Sequence, residues 1–142
     1  MKFFLLAAAA AAMAGPATAQ GALPDVPILA GATAAPDCGN LYGLAGRAFC
    51  VSAPLPGISG LADAYTAELE GRGWIAAGGD DNRVVFVRRR DGGGCDGLQM
   101  QAFYDTSRPV SPEATGYLGF GVIPGDVCAP AQPAAAEPTP QP

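Results

Sequence analysis

Four cysteines, Cys38, Cys50, Cys95 and Cys128, restrict this chain more than anything else in it. All four follow an N-terminal stretch built like a secretory signal. Lys2 is followed by an uncharged apolar run from Phe3 to Ala14, a break at Gly15-Pro16, and the small-x-small sequence Ala17-Thr18-Ala19. The sequence thus predicts a signal peptide over residues 1–19 and a mature chain that starts at Gln20. The expected location is periplasmic or secreted, an oxidising setting where an even number of cysteines in a small chain reads as disulfides. No C-x-x-C motif is present, and the chain has no His, so neither a thioredoxin-like motif nor a His-containing zinc site is available. The apolar run is too short to span a bilayer and no later segment is long enough, so the chain is expected not to be membrane-spanning. No Cys directly follows the run, which disfavours a lipoprotein.

Beyond residue 19 the only basic residues are seven Arg against thirteen Asp and Glu, a formal net charge of −6. Nucleic acid and anionic membranes are held largely by neutralising phosphate, so neither is an expected partner. The heavy Ala, Gly, Pro and Arg usage fits a high-GC bacterial genome.

Residues 20–36 read as an extended N-terminal segment with one apolar cluster at Val26 to Leu29. Residues 129–142 hold five Pro, five Ala and one charge. Such a tail has too little apolar surface to offset its ordering entropy, and disorder is expected there. Between them, residues 37–128 form the expected disulfide-stapled domain. Ala48 to Ser52 reads as a short strand that ends at Pro54. Ser59 is a candidate helix N-cap, with Asp63 near the helix start, and Leu61, Tyr65 and Leu69 recur at helical spacing up to Gly71 or Gly73. Strands are expected at Trp74 to Ala77, Arg83 to Arg90, Leu98 to Tyr104 and Tyr117 to Ile123. The predicted fold class is α+β: one helix packed on a four-stranded antiparallel β-meander, with a short extra N-terminal strand and two disulfides. Expected core residues are Leu61, Tyr65, Leu69, Trp74, Val84, Phe86, Leu98, Met100 and Phe120.

The meander also pairs the cysteines. Cys95 precedes its third strand and Cys128 follows its fourth. Antiparallel neighbours place those two points at one end of the sheet, so Cys95–Cys128 and Cys38–Cys50 are the expected disulfides. Gly92, Gly94 and Gly97 match the spacing of a dinucleotide-binding loop. That loop must open a helix, however, and here the glycines lead into a strand; a tight reversal is the better reading.

Without His, and without Lys past residue 19, the Ser-His-Asp, Cys-His and His-metal chemistries are excluded. A carboxylate-only site stays open, with Asp80/Asp81, Asp91/Asp96 and Glu68/Glu70 as pairs, but turn and surface roles explain all three. Asp80-Asp81-Asn82 lacks the ligand spacing of a calcium loop. No cofactor and no metal are expected. Arg88-Arg89-Arg90 reads as a solvated strand end pairing with nearby Asp. Core packing accounts for most of Tyr42, Trp74, Phe103, Tyr104 and Tyr117. The exception is Phe103, which shares a strand face with Gln99 and Gln101 on the side away from the helix. Gln99, Gln101, Phe103 and Arg89 are therefore the candidate binding residues. The leading expectation is an exported, non-enzymatic binding or accessory protein of the bacterial cell envelope, whose partner is an envelope protein, peptide or polysaccharide. Two alternatives follow from the same residues: a small carboxylate-dependent hydrolase, and a secreted protease inhibitor or anti-host factor using the loop from Thr106 to Gly116 with Arg108.

Overall fold

A computed structural model describes Leu23 and residues 26–129. The signal-peptide reading, and the tail reading beyond Ala129, fall outside the described residues. Within them, β1 (Thr33–Ala34) and β2 (Phe49–Pro54) precede α1 (Ile58–Gly71), which is followed by β3 (Ile75–Asp80), β4 (Arg83–Arg89), β5 (Cys95–Tyr104) and β6 (Thr115–Ile123). The fold class is α+β, with one α-helix on an antiparallel sheet and two disulfides. The sheet has six strands rather than four, in the order β1-β2-β6-β5-β4-β3. Strands β3 to β6 do form a meander. The early strand joins it as β2, antiparallel to β6, from Phe49 opposite Phe120 to Pro54 opposite Thr115. This non-local pairing turns an edge into a sheet interior, so β6 is flanked on both sides.

Helix α1 buries Ile58, Leu61, Tyr65 and Leu69, a three-four-four spacing that makes one stripe. Ser59 is not its N-cap. A 3-10 turn over Leu55–Gly57 runs directly into the helix, whose cap is Gly57 with no side-chain bond. The far end closes as a Schellman motif. Gly73 adopts a left-handed φ of 87°, its amide donates to the Glu70 carbonyl, and the Trp74 amide donates to the Leu69 carbonyl. That closure delivers Trp74 into the core beside Leu69.

Under the helix stripe lie Val51 of β2, Phe86 of β4, Leu98 and Met100 of β5, and Leu118 and Phe120 of β6, all buried. Of the expected core residues only Val84 is partly buried rather than fully so. The Tyr65 ring packs on Phe120 with centroids 4.9 Å apart. Its hydroxyl donates to the Pro27 carbonyl at 2.8 Å and accepts from the Leu29 amide at 3.2 Å. One buried phenol therefore ties the N-terminal segment across the helix, and Val26 joins the core. Burial raises the Tyr65 phenol above its ordinary value. The Trp74 indole N–H is buried with no hydrogen-bond partner among the described residues, while the Arg88 guanidinium lies 4.4 Å from the ring centroid.

The disulfides join Cys38 to Cys50 and Cys95 to Cys128. Near the second, Asp126 Oδ1 accepts from both the Cys95 amide (2.8 Å) and the Cys128 amide (2.9 Å). These two amides hold the Asp126 carboxyl below the usual carboxylate range. Its folded value thus lies under the unfolded one of about 3.9. The clamp stabilises the fold above that pH and is lost as pH falls through the folded value. Thermal scans from neutral pH to about pH 2.5 should show this loss, and Asp126→Asn should flatten part of it. An unchanged acid profile in the variant would count against the clamp.

The glycine-rich reversal at 91–94 connects β4 to β5 without opening a helix. The Arg90 amide donates to the Gly94 carbonyl at 2.9 Å, and a Cβ on Gly94 would lie 2.7 Å from the Asp126 carboxylate. The spacing of Gly92, Gly94 and Gly97 thus serves a turn and a close approach. Among the described residues no helix is long and apolar enough to cross a membrane.

Candidate functional site

Strand register sorts the sheet into a helix face and an outer face. Arg83, Val85, Val87 and Arg89 of β4 sit opposite Gln101, Gln99, Gly97 and Cys95 of β5. These positions alternate with the core residues Phe86, Leu98 and Met100, so they share the outer face. Gln99, Gln101, Phe103 and Arg89 all belong to it. The structure brings the first three together. Gln99 Nε2 donates to Gln101 Oε1 at 3.2 Å, and Phe103 follows two residues on. Arg89 stands apart. It pairs with Cys95, eight residues from Phe103, a separation of roughly 27 Å at 3.4 Å per residue. It is exposed at the opposite end of the face.

The Arg run splits three ways. Arg88 turns to the helix face and the Trp74 ring, while Arg89 takes the outer face. Arg90 donates to Asp96 Oδ1 and to the Gly125 carbonyl, both at 2.6 Å. Each candidate carboxylate pair likewise gives a member to a surface ion pair: Asp80 to Arg83, Asp96 to Arg90, Glu68 to Arg72. Asn82 of the Asp80-Asp81-Asn82 run donates its side-chain amide to the Ala102 carbonyl.

Phe103 is half-buried rather than open. The segment from Ala35 to Ala48 folds over its end of the outer face, stapled by Cys38–Cys50. Ala35, Cys38 and Cys50 make a second small core, with Leu44, Ala48, Phe103 and Tyr117 packed against it. The Phe103 ring stacks on Tyr117 with centroids 5.2 Å apart and meets Tyr42 edge-on at 5.9 Å. A Cβ on Gly119 would come within 3.1 Å of the Phe103 ring, so that glycine leaves the space the ring occupies. Phe103→Ser should therefore cost about 2 kcal/mol, more than a surface change and less than a core truncation. Chemical denaturation measures it, and a cost near zero would mean the ring is not held.

Among the described residues the exposed aromatic is Tyr42, at 61%. Its loop is unusual in its backbone. Cys38, Asn40 and Tyr42 have φ of 52°, 55° and 52°, with Gly39, Gly43 and Gly46 also positive. Asn tolerates this region; a bulky aromatic rarely enters it, at a cost of order 1–2 kcal/mol. What holds it is local. Asp37 accepts from the Gly39 amide at 3.0 Å, the Leu44 amide donates to the Leu41 carbonyl, the disulfide closes the loop, and the Tyr42 hydroxyl donates to the Tyr104 carbonyl at 3.1 Å. A strained, stapled loop therefore fixes an exposed ring against Phe103. Strain of this kind tends to collect at functional sites.

Two clefts flank the cluster. One, of about 600 Å³, runs between Gly39 and Leu41 and the β5–β6 loop, with Tyr104, Asp105, Arg108, Glu113 and Tyr117 in its wall. Arg108 is largely exposed and 3.2 Å from Asp105. The Ser107 hydroxyl and amide, and then Arg108, hold the Asp105 carboxyl low. The other, of about 380 Å³, is bordered by Tyr42 and Phe103 and reaches the helix side of β5; it is mostly apolar, with Leu44, Leu55 and Ile58 in its wall and Asn82 and Gln101 as polar groups. The sequence held a signal for this site in Tyr42, which lies in the stretch from Gly39 to Gly43. Periodicity cannot show that a loop aromatic is held in a left-handed conformation and turned outward. Compared with protein-family models, with curated proteins and with solved structures, the chain gives no match, and the site is read from its own geometry.

Proposed function

We propose that this is a non-enzymatic binding or accessory module of the bacterial cell envelope, exported and disulfide-bonded, and that it binds through the Tyr42–Phe103 end of the helix-free sheet face. The observation that carries the reading is Tyr42, held exposed at a conformational cost by a stapled loop beside two clefts. Missing general bases support a binding role, since the chain has no His and its Lys lies at position 2. The test is co-sedimentation of the oxidised protein with isolated bacterial envelope. Retention should fall about tenfold in Tyr42→Asn, a loss of about 1.4 kcal/mol. Asn suits the left-handed backbone, so the loop should persist. Retention that ignores Tyr42 would overturn the reading.

One observation favours a second reading. Arg108 projects from a loop pinned by Asp105, which accepts from the Ser107 amide at 3.0 Å and from its hydroxyl. A rigid loop with an exposed Arg is the form of a protease-inhibitor loop. Inhibition of trypsin-like proteases lost in Arg108→Ala, with envelope retention unchanged by Tyr42→Asn, would favour it.

A further inference from the structure

We infer that the cleft bordered by Tyr42 and Phe103 takes an uncharged glycan of N-acetylated amino-sugar units; this rests on the binding-module reading above. The ring comes first. Tyr42 is held by an edge-on contact and a hydroxyl bond, so presenting it costs little further order when a ligand arrives. The C–H groups on one side of a pyranose ring make an apolar, weakly positive surface, which matches the negative face of an aromatic ring.

The polar groups come next. Asn82, Gln101 and Thr106 line the cleft, two amides and a hydroxyl that both donate and accept, as sugar hydroxyls do. Among the described residues lining it none is charged, so an anionic ligand finds no countercharge there, on a chain that is itself acidic. Leu44, Leu55 and Ile58 supply an apolar wall beside those amides. An acetamido group fits that pairing, with its methyl on the wall and its N–H and C=O toward Asn82 and Gln101.

The same cleft is poorly suited to an extended peptide. Recognition by strand addition relies on free main-chain groups at a sheet edge. Beyond the start of β4, the Ala102 amide donates to the Asn82 carbonyl at 2.8 Å and the Ala102 carbonyl accepts from the Asn82 side chain at 3.2 Å. The Tyr104 carbonyl is taken by the Tyr42 hydroxyl. This stretch of β5 is closed by one main-chain carbonyl and two side chains of the protein itself.

The experiment is titration of the oxidised, isotope-labelled protein, followed by amide NMR, with three probes: chitotetraose, cellotetraose and an extended Ala/Val heptapeptide. Chitotetraose should shift the amides of residues 42–44, 82 and 101–104. Cellotetraose should bind about tenfold more weakly, and Tyr42→Asn should weaken chitotetraose about tenfold. Ile58→Asn, if folded by its amide spectrum, should narrow the gap between the two sugars; an unchanged gap would overturn the acetamido assignment. Equal binding of the two sugars, or peptide shifts in the cleft, would overturn the glycan inference. So would no glycan binding while envelope retention still depends on Tyr42, an outcome that leaves the binding-module reading standing. Loss of both dependences would remove the two together.

Discussion

Replacing Cys95 and Cys128 together by Ala is expected to lower the unfolding free energy by about 4 kcal/mol. The bond spans a sequence separation of 33, against 12 for Cys38–Cys50, and loop-closure entropy grows with the logarithm of loop length. The shorter bridge should therefore be worth about 3 kcal/mol. In a domain this small, a loss of 4 kcal/mol lowers Tm by roughly 20 °C. Local structure adds to the expectation. The turn after β6 lays Val127 over Gly97, where a Cβ would sit 2.6 Å from the valine, and Asp126 bonds the amides of both cysteines. Without the bridge, that turn is expected to open first, and amide exchange at 126–128 should rise before exchange in β5. Thermal unfolding of the two double variants checks the order. A larger loss on removing Cys38–Cys50 would show that native contacts rather than chain entropy set these values.

Phe120→Ala should cost about 4 kcal/mol, in the range for a buried aromatic. Phe120 stands in β6 between Phe49 of β2 and Met100 of β5, and it meets Tyr65 of the helix from above. It is the point where the non-local strand, the meander and the helix touch. Val122, two residues further on the same strand and face, is 64% exposed because β2 begins opposite Phe120. Val122→Ala should therefore change stability by only about 0.5 kcal/mol. Urea titration of both variants separates the two sites, and similar costs would contradict the strand order.

That contrast marks what the sequence can and cannot carry. The helix was legible because Leu61, Tyr65 and Leu69 repeat within one local element. The meander was legible because β3, β4 and β5 are joined by short turns and β6 follows β5 across a single loop, so consecutive strands pair. The place of β2 was not, since no local pattern in Phe49–Pro54 reports that its partner begins at Thr115. The expected strand stops at Ala77, yet β3 runs on through Gly78 and Gly79 to Asp80, across a register shift between Ala76 and Gly78. The backbone of Arg83 lies so near Gly79 that only a residue without Cβ fits, and a glycine kept for close approach carries no strand signal of its own. Val26, in a Pro- and Ala-rich stretch, enters the core where the Tyr65 hydroxyl holds the chain beside it. At the site, alternation placed Gln99, Gln101 and Phe103 on the outer face correctly. Alternation says nothing of a loop folding over one end of that face, and so Tyr42, not Phe103, became the exposed ring.

The Cys95–Cys128 bridge also decides how this molecule can be mounted. Ala129 leaves the domain beside Cys95, whereas Tyr42 lies over Phe103 at the other end of β5, roughly 27 Å away at 3.4 Å per residue. An anchor attached past residue 129 would thus hold the domain by one end and present the aromatic cluster at the other. A probe for immobilised binding assays should be attached there, and a label at the N-terminal segment, which crosses the helix at Tyr65, should be avoided.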